Sequence, residues 1–183
     1  ALMGCGVVYM PNDETFIRNV FEYAKTAGMP VIIASPDIDA LPICNRMVQE
    51  YDIKIAIHNH GPGDSKYPLP TDAYELVKDM DPRMGVCPDI GHTMRLGVDP
   101  VAEIEKVFDR MHDMHIKDVN GDTPEGKTCE IGRGVIDIPQ VLRTLLRLNY
   151  QGHVALEFEK DPEDPLPGMA ESIGYLRGVL SVT

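Results

Sequence analysis

The sequence lacks tryptophan, lacks long apolar runs and has few basic residues. No stretch approaches the roughly 18 consecutive apolar residues of a transmembrane helix, so no membrane span is predicted. The 17 Lys and Arg residues stand against 29 Asp and Glu residues, which gives a net charge of −12. Because a nucleic-acid backbone binds to a basic surface, this balance argues against DNA or RNA as a partner. A neutral or cationic ligand fits better, and an anionic ligand would need a local Lys, Arg or metal.

The cysteines form no C-x-x-C pair, and Cys5, Cys44, Cys87 and Cys129 lie far apart. This spacing predicts buried, reduced thiols in a reducing compartment rather than disulfides or a thiolate metal site. The first residues are apolar without a basic leader, so no signal peptide is predicted and a cytoplasmic location is expected. The length of 183 residues predicts one domain over residues 1–183.

Six apolar strand patterns alternate with helical patterns along the chain. No short-turn hairpin signal separates them, so right-handed βαβ units and a parallel sheet are predicted. A long loop rich in glycine and charge is expected over residues 120–134. The predicted strands cover 2–9, 30–34, 53–58, 85–87, 111–116 and 154–158, and the predicted helices begin at Asp13, Leu41, Thr71, Asp99, Ile138 and Gly168.

Two architectures produce this alternation, an open doubly wound sheet and a (β/α) barrel. An open sheet places its ligand at one switch point, which two or three strand ends serve. Here at least four strands end in ionisable residues, as in barrels. A complete barrel has eight strands in about 250 residues. The predicted fold is therefore a TIM-type α/β barrel with about six of eight units, in which the first two are absent from this sequence.

Ionisable side chains follow four of the predicted strands, in the segments IAIHNHG, CPDIGHT, MHIKD and ALEFE. They place Asp89, His115, Glu157 and one of His58 or His60 where the carboxyl ends of parallel strands meet, which predicts one metal site. Oxygen and nitrogen donors without a thiolate suit Mn²⁺, Zn²⁺, Co²⁺ or Fe²⁺ better than Ca²⁺ or Mg²⁺. Glu157 lies inside an apolar run, where an unpaired carboxylate would be costly.

Several of the ionisable residues near the predicted strand ends also have a purely structural interpretation. Asp89 would serve equally well as a helix or turn cap, and Lys117–Asp118 as a surface ion pair. Glu159 is expected to be a solvated loop charge, and Arg133 would simply anchor its loop. The prediction of a metal site therefore depends on the repetition over four strands rather than on any one residue.

Three segments carry a family resemblance: CPDIGHT, HIKD followed by G-R-G-x-x-D, and ALEFE. With them the chain resembles, over its whole length, the xylose isomerase-like TIM-barrel superfamily, in its sugar phosphate isomerase/epimerase group. The resemblance implies a sugar isomerase or epimerase that moves a proton next to a carbonyl through an enediolate. It also implies one divalent metal, manganese foremost with zinc, cobalt or magnesium as alternatives, and a small sugar or cyclitol as substrate.

Carried over by position, the resemblance implies that Asp89, His115 and Glu157 bind the metal. His58 stands where the family has glutamate, so it is expected to bind the metal and to share catalysis with Glu157. The expected substrate contacts are His60, His92, Lys117 and Arg133.

The histidine at position 58 keeps other functions open. Epimerases of the family use two glutamates on opposite faces of the substrate, so its presence favours a lyase or hydratase of 3-keto sugars or glycosides as the alternative. A non-catalytic sugar-binding barrel is a third hypothesis. The superfamily's abasic-DNA endonucleases need a D-x-H pair after the histidine strand, and VIDIP at 135–139 lacks one. Assembly into a homo-oligomer is left open.

Overall fold

The computed structural model of the chain describes residues 1–183 and contains eight strands and seven α-helices. The strands are β1 Gly4–Met10, β2 Val31–Pro36, β3 Lys54–His58, β4 Met84–Cys87, β5 His115–Ile116, β6 Asp118–Val119, β7 Thr128–Cys129 and β8 Ala155–Leu156. The helices are α1 Glu14–Ala27, α2 Leu41–Tyr51, α3 Pro70–Val77, α4 Ile90–Met94, α5 Pro100–Val107, α6 Ile138–Arg147 and α7 Leu166–Leu180.

The strands that follow helices run parallel, as expected for βαβ units. β1, β2, β3 and β4 form one sheet in that order. Parallel bridges Val86–Met111 and Asp89–His115 carry the order on to β5, which pairs with β8. The predicted α/β TIM-barrel-like fold is confirmed. The outer strands β1 and β8 line a cleft of about 320 Å³ rather than pairing with each other.

Local sequence explains where the best-defined helices begin and end. Asp13 accepts hydrogen bonds from Thr15 N and Phe16 N at 2.9 and 3.1 Å, which caps α1. Gly28 ends that helix with φ of 70°, a left-handed conformation that glycine adopts without strain. Asp137 caps α6 by accepting from Gln140 N at 2.9 Å. The sequence predicted α1 from these signals, whereas it predicted the start of α6 at Ile138 without the Asp137 cap.

The apolar core has three parts. A cluster of 21 buried residues, with Phe21 and Ile55 among them, packs the four-stranded sheet against α1 and α2. A cluster of 12 buried residues surrounds α6 in the second half of the chain. A third group fills the barrel interior under the strand ends: Val31, Ile33, Ala56 and Cys87. The helices thus cover the outer face of the sheet, and the inner face leads up to the polar strand ends.

The structure differs from the sequence prediction in several details, of which three concern the strands and the start of α3. The strands β5 and β8 have two residues each instead of five or six, because isolated bridges replace a continuous ladder before β5. The predicted 120–134 loop includes β7, which pairs antiparallel with β6. Thr71 does not cap α3: the helix begins at Pro70, and the Thr71 hydroxyl instead donates to Glu103 at 2.8 Å.

The cysteines are all free thiols, and Cys44 and Cys87 are buried as predicted, whereas Cys5 and Cys129 are half-buried. No helix here has both the length and the apolar character needed to traverse a bilayer.

Candidate metal centre

Four side chains from different strand ends converge at one end of the barrel. His58 ends β3, Asp89 follows β4, His115 begins β5 and Glu157 follows β8. One nitrogen or oxygen of each lies within 4.8 Å of the corresponding atoms of the others. The four residues that the sequence singled out as a metal set are therefore brought together by the fold.

Asp89 has one oxygen in use and one free. Its Oδ1 accepts from His92 N at 2.7 Å and so caps α4, which the sequence allowed as a purely structural role. Its Oδ2 is buried and receives no aligned hydrogen bond, although His58 Nε2 and Lys117 Nζ lie 3.5 and 3.3 Å away. Burial opposes the charge, but the nearby His58 imidazole and the positive charge of Lys117 lower its pKa to about 2.

Glu157 lies among three basic groups. Its Oε2 contacts His115 Nδ1 and lies 3.2 Å from His58 Nε2, and its Oε1 accepts from Lys117 Nζ at 3.1 Å. Burial raises the pKa of this carboxyl, but the contacts with His115 and His58 outweigh it and hold the pKa well below the usual range. Glu157 is therefore ionised at neutral pH, and two oxygens of an ionised carboxylate face the centre of the cluster.

His58 is buried against two carboxylates. Burial disfavours its charged form, but the carboxylates of Asp89 and Glu157 beside Nε2 raise its pKa to about 9. Without a metal the ring therefore carries a second proton, which a metal ion would displace. The free carboxylate oxygen of Asp89 supplies a further site for positive charge. Two imidazoles and two carboxylates without a thiolate fit a divalent transition metal such as zinc or manganese.

Lys117 is a buried member of the cluster and not half of a surface pair. Its side chain is 1% exposed, and Nζ lies 2.6 Å from Glu159 Oε2. The same ammonium reaches His92 Nε2 at 3.3 Å as well as Asp89 and Glu157. The surface ion-pair interpretation of Lys117–Asp118 is wrong, because Asp118 is also fully buried and faces a different loop.

The imidazoles of His60 and His92 complete the rim of the centre. The His60 ring lies 4.6 Å from the His58 ring and 5.9 Å from the His92 ring, centre to centre. Burial, together with the charges of Lys117 and His58, lowers the pKa of His92 to about 4, so this ring is neutral at pH 7. Both predicted substrate contacts therefore lie beside the predicted metal ligands.

Arg133 is placed differently from the other predicted site residues. Its Nε and a terminal nitrogen bind both oxygens of Glu171 at 2.5 and 2.9 Å, on an exposed surface of α7. The anchor interpretation of Arg133 agrees with this contact, and the structure does not bring Arg133 into the cluster.

Two supporting residues escaped sequence reasoning. Asn59 is buried, and its Oδ1 accepts from Asp89 N at 2.8 Å, which ties the end of β3 to the residue after β4. Asp118 accepts from Gly132 N and Gly134 N at 2.9 and 3.0 Å and so holds the loop that carries Arg133. The position of Asn59 between two candidate histidines could have indicated a supporting role at the site. Nothing local marked Asp118 as buried.

Known proteins resemble this chain in sequence and in fold. Inosose dehydratase of Clostridium beijerinckii is 27% identical over 142 residues, which are 68% of this chain and 46% of the dehydratase. The chain thus spans less than half the length of that relative. A crystal structure of the IolI protein with a bound zinc atom has a TM-score of 0.81 at 18% identity, and covers 98% of this chain and 76% of IolI.

An epimerase shares the fold as well. The 3-keto-D-glucoside 4-epimerase YcjR of E. coli has a TM-score of 0.78 at 17% identity, and the match covers 96% of this chain and 77% of YcjR. At such identities the two structures establish the fold alone. The sequence gives the family directly, because residues 16–179 match the family described as the xylose isomerase-like TIM barrel. The chain therefore belongs to the xylose isomerase-like TIM-barrel family.

Proposed function

We propose that the cluster of His58, Asp89, His115 and Glu157 is the active site of a divalent-metal-dependent sugar isomerase or epimerase. The reaction would move a proton next to a carbonyl group of a small sugar or cyclitol. The observation that carries this proposal is the convergence of the four side chains, with ligand atoms within 4.8 Å of one another and a free buried oxygen on Asp89.

The proposed base is Glu157, since its carboxylate is ionised and half-buried beside the centre. A bound divalent metal would act as a Lewis acid on the carbonyl and stabilise the negative charge that develops on its oxygen. As a metal ligand His58 would have no proton to give, so the return of the proton is assigned to Lys117, whose ammonium lies 3.1 Å from Glu157 Oε1. Lys117 and His92 are proposed to orient hydroxyl groups of the substrate, because both face the centre from its rim.

Dehydration is the second candidate function. It starts with the same proton abstraction but ends with loss of a hydroxyl group from the neighbouring carbon. Two observations favour it: the histidine at the position where the family's epimerases carry a second glutamate, and the 27% identity with inosose dehydratase. The two reactions differ in whether water leaves the substrate.

Metal analysis combined with turnover tests the proposal. The full chain is loaded separately with Mn²⁺, Zn²⁺ and Co²⁺, and bound metal is measured by mass spectrometry. Inosose and 3-keto sugars are then incubated with it in deuterium oxide, and the products are followed by NMR. Glu157→Gln should abolish turnover, whereas Glu163→Gln, at an exposed position, should leave it unchanged.

The products separate the two reactions. Deuterium incorporation with a new isomer or epimer supports the first candidate, and an unsaturated product that has lost water supports dehydration. A chain that retains none of the three metals, or that turns over its substrate equally well with Gln at position 157, would contradict the proposed centre.

A further inference from the structure

A second set of polar side chains borders the candidate metal centre on the β1 side. His60 Nδ1 lies 3.2 Å from Asp64 Oδ2, and His60 Nε2 lies 3.3 Å from the Tyr9 hydroxyl. The rings of Tyr9 and His60 are stacked, with centres 5.7 Å apart and planes inclined by 24°. The three residues thus form a chain in the order Asp64, His60, Tyr9, with the imidazole in the middle.

The loop after β3 is built to hold Asp64 in this position. Gly61 turns the chain with φ of 69°, and a side chain there would collide with the His92 carbonyl oxygen at 2.6 Å. Asp64 N donates to Gly61 O at 3.2 Å, and Asp64 Oδ1 accepts from Lys66 N at 2.7 Å. One oxygen of Asp64 therefore fixes the loop, and the other is available for His60.

The carboxylate determines which nitrogen of His60 carries the proton. A carboxylate next to Nδ1 offers no proton, and its negative charge favours the N–H form of that nitrogen. In the neutral imidazole Nε2 is then an acceptor, and the Tyr9 hydroxyl donates to it. Through its effect on His60, Asp64 makes Nε2 a hydrogen-bond acceptor at the rim of the metal centre. The His60 ring lies there 4.6 Å from the ring of His58, centre to centre.

The contact with Tyr9 shows that His60 Nε2 can accept a hydrogen bond from a hydroxyl group. The Tyr9 residue is 64% exposed at the end of β1, so its hydroxyl group is held loosely and can be displaced. A hydroxyl of a polyol at the centre would offer Nε2 the same donor. We propose that Asp64 is a positioning residue that fixes the tautomer of His60, and that His60 Nε2 binds a substrate hydroxyl in place of Tyr9. This inference rests on the proposed function for the substrate class, a sugar or cyclitol.

The substitution Asp64→Asn tests the tautomer with little change of shape. The asparagine oxygen can still accept from Lys66 N, so its NH₂ group then faces His60 Nδ1 as a donor. Nδ1 must become the acceptor, and the proton moves to Nε2, which can no longer accept from a hydroxyl. The same exchange of carboxylate for amide inverts the histidine tautomer in Ser-His-Asp triads.

Two measurements follow on the full chain loaded with zinc. Nitrogen-15 NMR should show His60 protonated on Nδ1 in the wild type and on Nε2 in Asp64→Asn. Calorimetry with inositol, which lacks the carbonyl of inosose and therefore is not turned over, should show about tenfold weaker binding to the variant, the effect of one lost hydrogen bond. The matched control is Asp39→Asn, at an exposed carboxylate that binds Asn12 at 3.1 Å, which should change neither result.

A second variant tests the role of Tyr9. Tyr9→Phe removes the competing hydroxyl, so inositol should bind equally well or more tightly while His60 keeps its proton on Nδ1. Tenfold weaker binding to Tyr9→Phe would overturn the proposal, as would an Asp64→Asn protein with unchanged tautomer and affinity. If tautomer and inositol binding respond as expected while no keto sugar is turned over, the proposed function fails and this inference stands. Metal-dependent turnover that is insensitive to Asp64→Asn would reject the inference alone.

Discussion

The two halves of the chain position their functional side chains by different means. The first half has four strands of four to seven residues in one parallel sheet, backed by 21 buried core residues. The second half has strands of two residues each and a core of 12. Yet the second half supplies His115, Lys117 and Glu157, three of the charged or ionisable groups of the centre.

This comparison shows that a two-residue strand can position a functional side chain as well as a longer strand does, if buried polar groups hold the adjoining loops. His58 is aimed by the β3 ladder, because alternate residues of a strand point to the same face. Asp118 does the equivalent work in the second half, by accepting backbone N–H groups from the loop over 132–136. Both halves bury an apolar core, but the loops of the second half depend in addition on a buried acceptor with satisfied hydrogen bonds.

The largest expected effect comes from removing the buried acceptor Asp118. Asp118→Ala should destabilise the chain by about 3–5 kcal/mol, because several backbone N–H groups, at about 1–3 kcal/mol each, lose their acceptor. Ile55→Ala in the first half should cost a similar 2–5 kcal/mol, roughly, by opening a cavity. Urea unfolding gives both values, and exposed Asp122→Ala is the control. A decrease of less than about 1 kcal/mol in the free energy of unfolding for Asp118→Ala would contradict the role of Asp118 in holding the 132–136 loop.

The next effect concerns the link between the ends of β3 and β4. Asn59→Ala removes the acceptor for Asp89 N, so the Asp89 carboxylate loses its fixed orientation. Metal affinity should fall by about 10–100-fold, the usual result of losing such a supporting contact. Competition with a chelator measures it. The control is Asn45→Ala in α2, which removes a comparable bond to Asp81 N, and equal losses in both variants would contradict a specific role.

The pH dependence distinguishes the metal-free from the metal-bound centre. Because the pKa of His58 is raised to about 9, its protonated form contributes stability that is fully present below its ordinary pKa of about 6.5. That contribution is lost as the pH rises through about 9. The metal-free chain should therefore lose stability over this window relative to His58→Asn, in unfolding curves at several pH values.

Metal binding should show the opposite trend. A metal must displace the proton from His58, so affinity should rise by about tenfold per pH unit up to the pKa. Titrations in buffers of different ionisation enthalpy measure the released proton. Metal affinity that is flat across this range would show that His58 does not bind the ion.

The smallest effect is expected at Arg133. Arg133→Ala breaks only an exposed ion pair with Glu171, which should cost at most about 1 kcal/mol. The KM for the sugar or cyclitol should not change. Glu171→Ala is the matched variant: a rise in KM with Arg133→Ala but not with Glu171→Ala would restore the predicted substrate contact of Arg133.

Sequence patterns were sufficient wherever the cause was local. Asp13 and the glycine at position 28 predicted both ends of α1, and the apolar periodicity after Ile138 predicted α6. The prediction that Thr71 caps α3 was wrong. The helix begins at Pro70, which is an equally good start signal, and the Thr71 hydroxyl donates a hydrogen bond to Glu103 of α5. The predicted incompleteness of the barrel, the manganese and the cytoplasmic location stay predictions.

The sequence by itself determined which side chains follow each strand, since strand and helix signals act over a few residues. It therefore predicted the fold class and the set of His58, Asp89, His115 and Glu157. Only the tertiary structure decided the partners: His58 meets Glu157 from 99 positions away. It also buried Lys117, gave Arg133 to Glu171 and turned Asp64 back onto His60. Such contacts depend on how distant elements pack, and no local pattern in the chain encodes them.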